Sequence, residues 1–298
     1  MPRIIRTLWI ILIYILIAPL AMASNREPVI VLVPGFFNSL SVDPYFSKAI
    51  LQTLQARGLD VLAVDNLDPI GSVEENGLRL NHYLNANVSR FPNRNLVVIG
   101  HSAGGLYTLQ ALTNDPSLPV QTLISIGTPF TGVQFIDRLT SRIPGLESLA
   151  SFLHLASLRE FTAEKMLNVT QRFRVPSHLR LITVAGYQEA CFLTSCTTSR
   201  NLSWILSIAQ RLMSEKSDGV VTVRSALAEG LILRGWDGQP FPIERWDDFL
   251  IPLEHWELVQ EGRWFKTLGI TDTAEVSALQ ARTFNWILDR LEPALRAQ

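Results

Sequence analysis

The chain has 298 residues, a formal net charge of −1, 18% charged residues and 47% hydrophobic ones. A near-neutral balance with no basic cluster excludes a nucleic-acid footprint. The charged share lies below the roughly 25% usual for soluble chains, which leaves room for exposed apolar surface of the kind a lipid-handling protein uses.

Arg3 and Arg6 precede an apolar run from Leu8 to Leu20 and then Ala21-Met22-Ala23, the three-part layout of a signal peptide cleaved after Ala23. An uncleaved membrane anchor is the alternative, although the run is shorter than the roughly 20 residues a bilayer span prefers and contains Pro19. Residues 24–298 then read as a single domain. Cys191 and Cys196 are the only cysteines, and in an exported chain an even count predicts a disulfide closing a small local loop.

Val29 to Val33 is a β-branched run that predicts a first strand. Asp43-Pro44 reads as the start of a helix reaching about Arg57, closed by Gly58. Leu59 to Val64 is a second strand. Ser72 and Glu75 form a capping box ahead of a helix bearing Leu78, Leu80 and Leu84. Leu96 to Ile99 gives a third strand, a helix follows Gly104 with Leu106, Leu109 and Leu112, and Val120 to Ile126 is a fourth strand. Leu179 to Ala185 is the next strand, after a Leu- and Phe-rich helical insertion from about Phe130 to Pro176 that is too long for a connecting loop. An apolar helix covers about Asn201 to Met213, Asp237-Gly238 reads as a hairpin turn, and Thr273 to Leu291 closes the chain as an amphipathic helix. Strands alternating with helices argue for an α/β architecture: a mostly parallel sheet covered on both faces, with ligands at the carboxyl ends of its strands.

Gly100-His101-Ser102-Ala103-Gly104 fits G-x-S-x-G and stands where a predicted strand meets a predicted helix, the setting in which that motif thrusts a serine out of the sheet. Together with Val31-Leu32-Val33-Pro34-Gly35-Phe36, Gly127-Thr128-Pro129-Phe130-Thr131-Gly132 and Ser217-Asp218-Gly219-Val220-Val221, it resembles the α/β-hydrolase lipases and esterases, bacterial triacylglycerol lipases in particular. That resemblance implies the α/β-hydrolase fold with a helical lid insertion, and hydrolysis of apolar carboxylic esters by a serine nucleophile, Ser102. It also implies an oxyanion hole made by the backbone N–H groups of Phe36 and Ala103. Pro34-Gly35 stands where the commoner pattern has His-Gly.

A serine hydroxyl is a weak nucleophile near neutrality and needs a histidine base oriented by an acid. In this fold the order is serine, acid, histidine. Of the five histidines, His82, His101, His154 and His178 precede any acid that fits, which leaves His255. His101, beside the nucleophile, reads as packing around the elbow. Two acids compete: Glu189, soon after a predicted strand, and Asp218, which the Ser-Asp-Gly-Val-Val resemblance favours.

The insertion, about residues 130–176, places Leu149, Phe152, Leu153, Leu155, Ala156 and Leu158 as a lid or as buried core. Residues 190–213, with Trp204, Ile205, Ile208 and Leu212, read as a second flap. No cofactor or metal site is expected. Asp247 and Asp248 lie where some bacterial lipases hold a structural calcium, but the chain has no dedicated calcium loop. The expected partner is a lipid or small ester. An acyltransferase or thioesterase with the same triad, and a noncatalytic envelope binding protein, are the rival readings.

Overall fold

The computed structural model describes residues 27–38, 44–142, 155–191, 202–260 and 273–296. The expected signal peptide, the residues Leu149, Phe152 and Leu153 of the expected lid, and Cys196 therefore lie outside the described residues. Cys191 is disulfide-bonded, and Cys196 is the only other cysteine in the sequence. Among the described residues, no helix is long and apolar enough to cross a membrane.

The chain alternates strand and helix. β1 (Val29–Val33) leads to α1 (Lys48–Ala56), β2 (Asp60–Ala63), α2 (Val73–Val88), β3 (Leu96–His101), α3 (Ala103–Asn114) and β4 (Val120–Ile126). The insertion then supplies α4 (Gln134–Arg142), a 3₁₀ segment (Leu155–Phe161), α5 (Ala163–Thr170) and the short β5 (Arg174–Val175). β6 (Arg180–Gly186), α6 (Trp204–Met213), α7 (Val223–Ala226), β7 (Arg234–Gly235), β8 (Glu244–Ile251) and α8 (Thr273–Arg296) complete it.

Six strands form one sheet in the order β2-β1-β3-β4-β6-β8, and every neighbouring pair is parallel. Because side chains alternate across a strand, each strand feeds two cores. Val29, Val31, Val33 and Val98 pack with Leu80 and Leu84 of α2 and Leu106 and Leu109 of α3. Ile30, Leu32, Val97 and Ile99 pack on the opposite face with Ile50 and Leu54 of α1 and Phe284 and Ile287 of α8. Burial on both faces is why the central strands read as unbroken apolar runs.

Local sequence sets several boundaries. Ser72 and Glu75 make the reciprocal cap: the Glu75 N–H donates to Ser72 Oγ at 3.2 Å, and the Ser72 N–H to Glu75 Oε2 at 2.9 Å. Leu78, expected on the apolar stripe of α2, is exposed, and Val73, Gly77, Leu80 and Leu84 make the buried face instead, as spacings of three and four residues require. α1 begins later than Asp43-Pro44 implies: Ser47 is its N-cap and accepts from the Ile50 N–H. Tyr45 and Phe46 are thereby left in the connection ahead of the helix, where Phe46 fills the core beside Ile50. Asp237-Gly238 forms the expected turn, with Gly238 at φ +78° and its N–H donating to the Gly235 carbonyl at 2.9 Å.

Candidate active site

The strand ends converge at the carboxyl edge of the sheet. Between β3 and α3 the backbone reverses at Ser102, which has φ +53° and ψ −129°, a conformation that costs a non-glycine residue about 1–3 kcal/mol. Small neighbours make the turn possible: a Cβ at Gly104 would meet the carbonyl oxygens of Val33 and Pro34. Ser102 occupies the N-cap position of α3, yet its hydroxyl makes no capping bond and turns instead toward the loop that carries His255.

That loop follows β8. His255 Nε2 is 2.9 Å from Ser102 Oγ and His255 Nδ1 is 2.8 Å from Asp218 Oδ2. A carboxylate only accepts, so Nδ1 carries the proton, and Nε2 presents a lone pair to the Ser102 O–H. The Asp218 side chain is buried, and its Oδ1 accepts from the N–H groups of Val220 at 2.9 Å and Val221 at 2.8 Å. Those bonds satisfy a buried anion that would otherwise be costly. The His255 N–H also donates to the Asp218 carbonyl at 2.9 Å, so the Asp218 and His255 segments are joined through both backbone and side chain. Gly127, which opens the G-T-P-x-x-G segment, passes directly beneath the pair: a Cβ there would lie 3.2 Å from Asp218 Oδ2 and 3.6 Å from His255 Cε1.

Ser102, His255 and Asp218 are thus brought together, and Glu189 is not. The Glu189 side chain is exposed, and its backbone carbonyl serves the Leu202 N–H at 3.1 Å. His82 and His178 are exposed, and His154 lies outside the described residues. His101 is fully buried, with Nδ1 2.7 Å from the Tyr45 hydroxyl and Nε2 2.9 Å from the His255 carbonyl oxygen.

The Gly35-Phe36 turn lies against the elbow: a Cβ at Gly35 would stand 2.7 Å from Ser102 Cβ. The N–H groups of Phe36 and Ala103 take no part in the turn and loop hydrogen bonds among the described residues. Ala103 opens α3, where backbone N–H groups are without helical partners and the helix dipole favours negative charge.

A cavity of about 330 Å³ opens beside Ser102 and His255, with walls from Phe36, Val133, Ile136, Phe161, Leu206 and Trp256 among others. Phe36 meets Phe161 edge-on at 5.2 Å. Leu158 of the insertion and Leu206 and Ala209 of α6 also line it, so both expected covering segments contribute wall. α6 is anchored rather than loose: Gln210 Nε2 donates to the carbonyls of Gln188 at 3.0 Å and Ser217 at 3.3 Å. Among the described residues, no group of three or more His, Cys, Asp or Glu could hold a metal ion, and Asp248 pairs with Arg290 at 2.7 Å.

A family profile described as the alpha/beta hydrolase fold matches residues 28–179, and the chain belongs to that family. Solved structures share the architecture. A Bacillus licheniformis lipase in its mature form aligns over 90% of this chain and 92% of its own at 20% identity and a TM-score of 0.58. Staphylococcus hyicus lipase aligns over 92% and 97% at 14% identity and a TM-score of 0.58, and a metagenomic carboxyl esterase over 89% and 77% at 17% identity and 0.55. At such identities the likeness is one of fold. A search of curated proteins finds no sequence match.

Proposed function

We propose that the chain is an exported serine carboxylic-ester hydrolase, a lipase or esterase acting on apolar acyl esters through Ser102, His255 and Asp218. The observation that carries this reading is the unbroken run of hydrogen bonds from Ser102 Oγ through His255 to Asp218 at the mouth of an apolar cavity.

In the reaction, Ser102 Oγ attacks the ester carbonyl carbon while its proton passes to His255 Nε2. Negative charge moves to the carbonyl oxygen, where the N–H groups of Phe36 and Ala103 receive it, each such donor being worth roughly 3–4 kcal/mol of barrier. The imidazolium then protonates the leaving alkoxide, the C–O bond breaks, and the acyl group stays on Ser102. Water attacks this acyl-enzyme, gives its proton to His255 and releases the acid, after which the proton returns to Ser102. Asp218 holds the tautomer that makes Nε2 the acceptor and stabilises the imidazolium throughout. The apolar walls take the acyl chain, and water leaving them favours binding by about 25 cal/mol per Å² of apolar surface covered.

The test is hydrolysis of p-nitrophenyl esters from acetate to palmitate by residues 24–298, with Ser102→Ala alongside. Turnover that vanishes in the variant supports the reading. An inert wild-type chain across the whole series rejects ester hydrolysis and turns attention to acyl transfer or a noncatalytic role.

A further inference from the structure

The residue between Gly100 and Ser102 is expected only to pack, yet its two ring nitrogens are both committed to particular partners. The His255 carbonyl oxygen can only accept, so His101 Nε2 carries the proton and donates at 2.9 Å. Burial, with repulsion from the neighbouring His255 as a lesser cause, holds the His101 pKa well below its ordinary 6.5, and the ring is neutral. Nδ1 therefore offers a lone pair, and the Tyr45 O–H donates to it at 2.7 Å. Burial also raises the Tyr45 pKa and keeps the phenol protonated, against a smaller lowering by the Gly35 backbone beside it. The approach is close enough that a Cβ at Gly35 would sit 2.9 Å from that hydroxyl.

Both bonds run in one direction, from Tyr45 to His101 and from His101 to the His255 carbonyl. They join three segments separated in sequence: the connection ahead of α1 that carries Tyr45 and lies against the Gly35-Phe36 turn, the elbow that presents Ser102, and the loop that presents His255. The rings of His101 and His255 lie 4.8 Å apart between centroids, and Tyr45 also contributes to the cavity wall.

We propose that Tyr45 and His101 are positioning residues, a hydrogen-bond relay that, packed against the Gly35-Phe36 turn, holds the nucleophile elbow and the base loop in a single register. The proposal rests on the reading of Ser102 and His255 as nucleophile and base. Neither residue touches the bond that breaks. Their action is geometric, on groups whose misplacement by an ångström can cost about 100-fold in rate.

Tyr45→Phe deletes one oxygen and keeps the ring at the cavity wall. His101→Gln places an amide nitrogen near the former Nε2 and removes the acceptor that faces Tyr45. Both variants and the double variant are compared with wild type on p-nitrophenyl butyrate, with rates scaled to the folded fraction read from thermal unfolding. The relay predicts that Tyr45→Phe lowers kcat between about 10- and 100-fold while KM stays within about twofold. It also predicts that adding Tyr45→Phe to His101→Gln lowers kcat no further, because the chain is already broken. Unchanged kcat in Tyr45→Phe, or losses that multiply in the double variant, would overturn the relay. An inert wild type would instead remove the catalytic reading on which it rests.

Discussion

Ser102 and His255 come within hydrogen-bond distance although 153 residues separate them in sequence, and the chain fixes them by different means. At the elbow the backbone does the work: β3 is locked between β1 and β4, the Ser102 N–H donates to the Ile126 carbonyl at 2.9 Å, and close packing at Gly104 admits no side chain. In the base loop, contacts reaching in from distant segments do it. The Asp218 carbonyl, the His101 ring and the Ser203 N–H hold residues 254 and 255, while Gln280 Nε2 donates to the carbonyls of Glu257 at 2.7 Å and Gln260 at 2.8 Å. A strained serine needs a rigid sheet edge to keep it strained, whereas His255 is held in its loop by hydrogen bonds that arrive from several distant segments.

Variants at the two regions break or sharpen that contrast. The largest effect belongs to the reacting groups: Ser102→Ala and His255→Ala should each lower kcat by about 10⁶-fold, with the double variant no worse, since the two act as a unit. Steady-state turnover with unchanged circular dichroism checks this. Asp218→Asn should cost about 10⁴-fold by favouring the wrong tautomer of His255, again read from kcat. Elbow packing should appear in stability: Gly104→Ala forces a Cβ against two backbone carbonyls and should lower unfolding free energy by about 1–3 kcal/mol, measured by urea denaturation.

The base side should reveal itself through pH. His101 is neutral in the folded chain because burial depresses its pKa, whereas the unfolded chain takes up that proton near pH 6.5. Below that pH the unfolded state binds more protons, so stability falls as pH drops, with a slope approaching one proton per chain until the folded pKa is reached. Urea midpoints measured from pH 7 downward should show this limb in wild type and lose it in His101→Gln. The smallest effect is expected at Glu189→Gln, where turnover should stay within about twofold of wild type, because exposed surface changes away from a site are close to neutral.

What could be read from sequence follows the same division. The elbow was legible because it is local: a strand, two glycines, a serine and a helix stand in one contiguous stretch, and the central strands announce themselves by burial on both faces. The Ser72–Glu75 cap is equally local. β8 was missed, since Glu244, Arg245, Asp247 and Asp248 make it look like a loop. Its charges are used across the sheet edge, Glu244 by Arg180 at 2.8 Å and Arg245 by the carbonyls of Leu227 and Ala228. Tyr45 was hidden in the segment read as the start of α1, because nothing near it in sequence signals a partner at His101. Glu189 and Asp218 could not be separated by spacing alone, for burial and the two N–H donors at Asp218 arise only when the Ser217–Val221 turn folds under His255.

The most direct test of the central claim is the site of covalent capture. After brief exposure to a fluorophosphonate, intact mass and peptide mapping should find one adduct per chain, on Ser102, and none in His255→Ala over the same interval. An unmodified wild-type chain, or an adduct on any other residue, would contradict the assignment of Ser102 as the nucleophile.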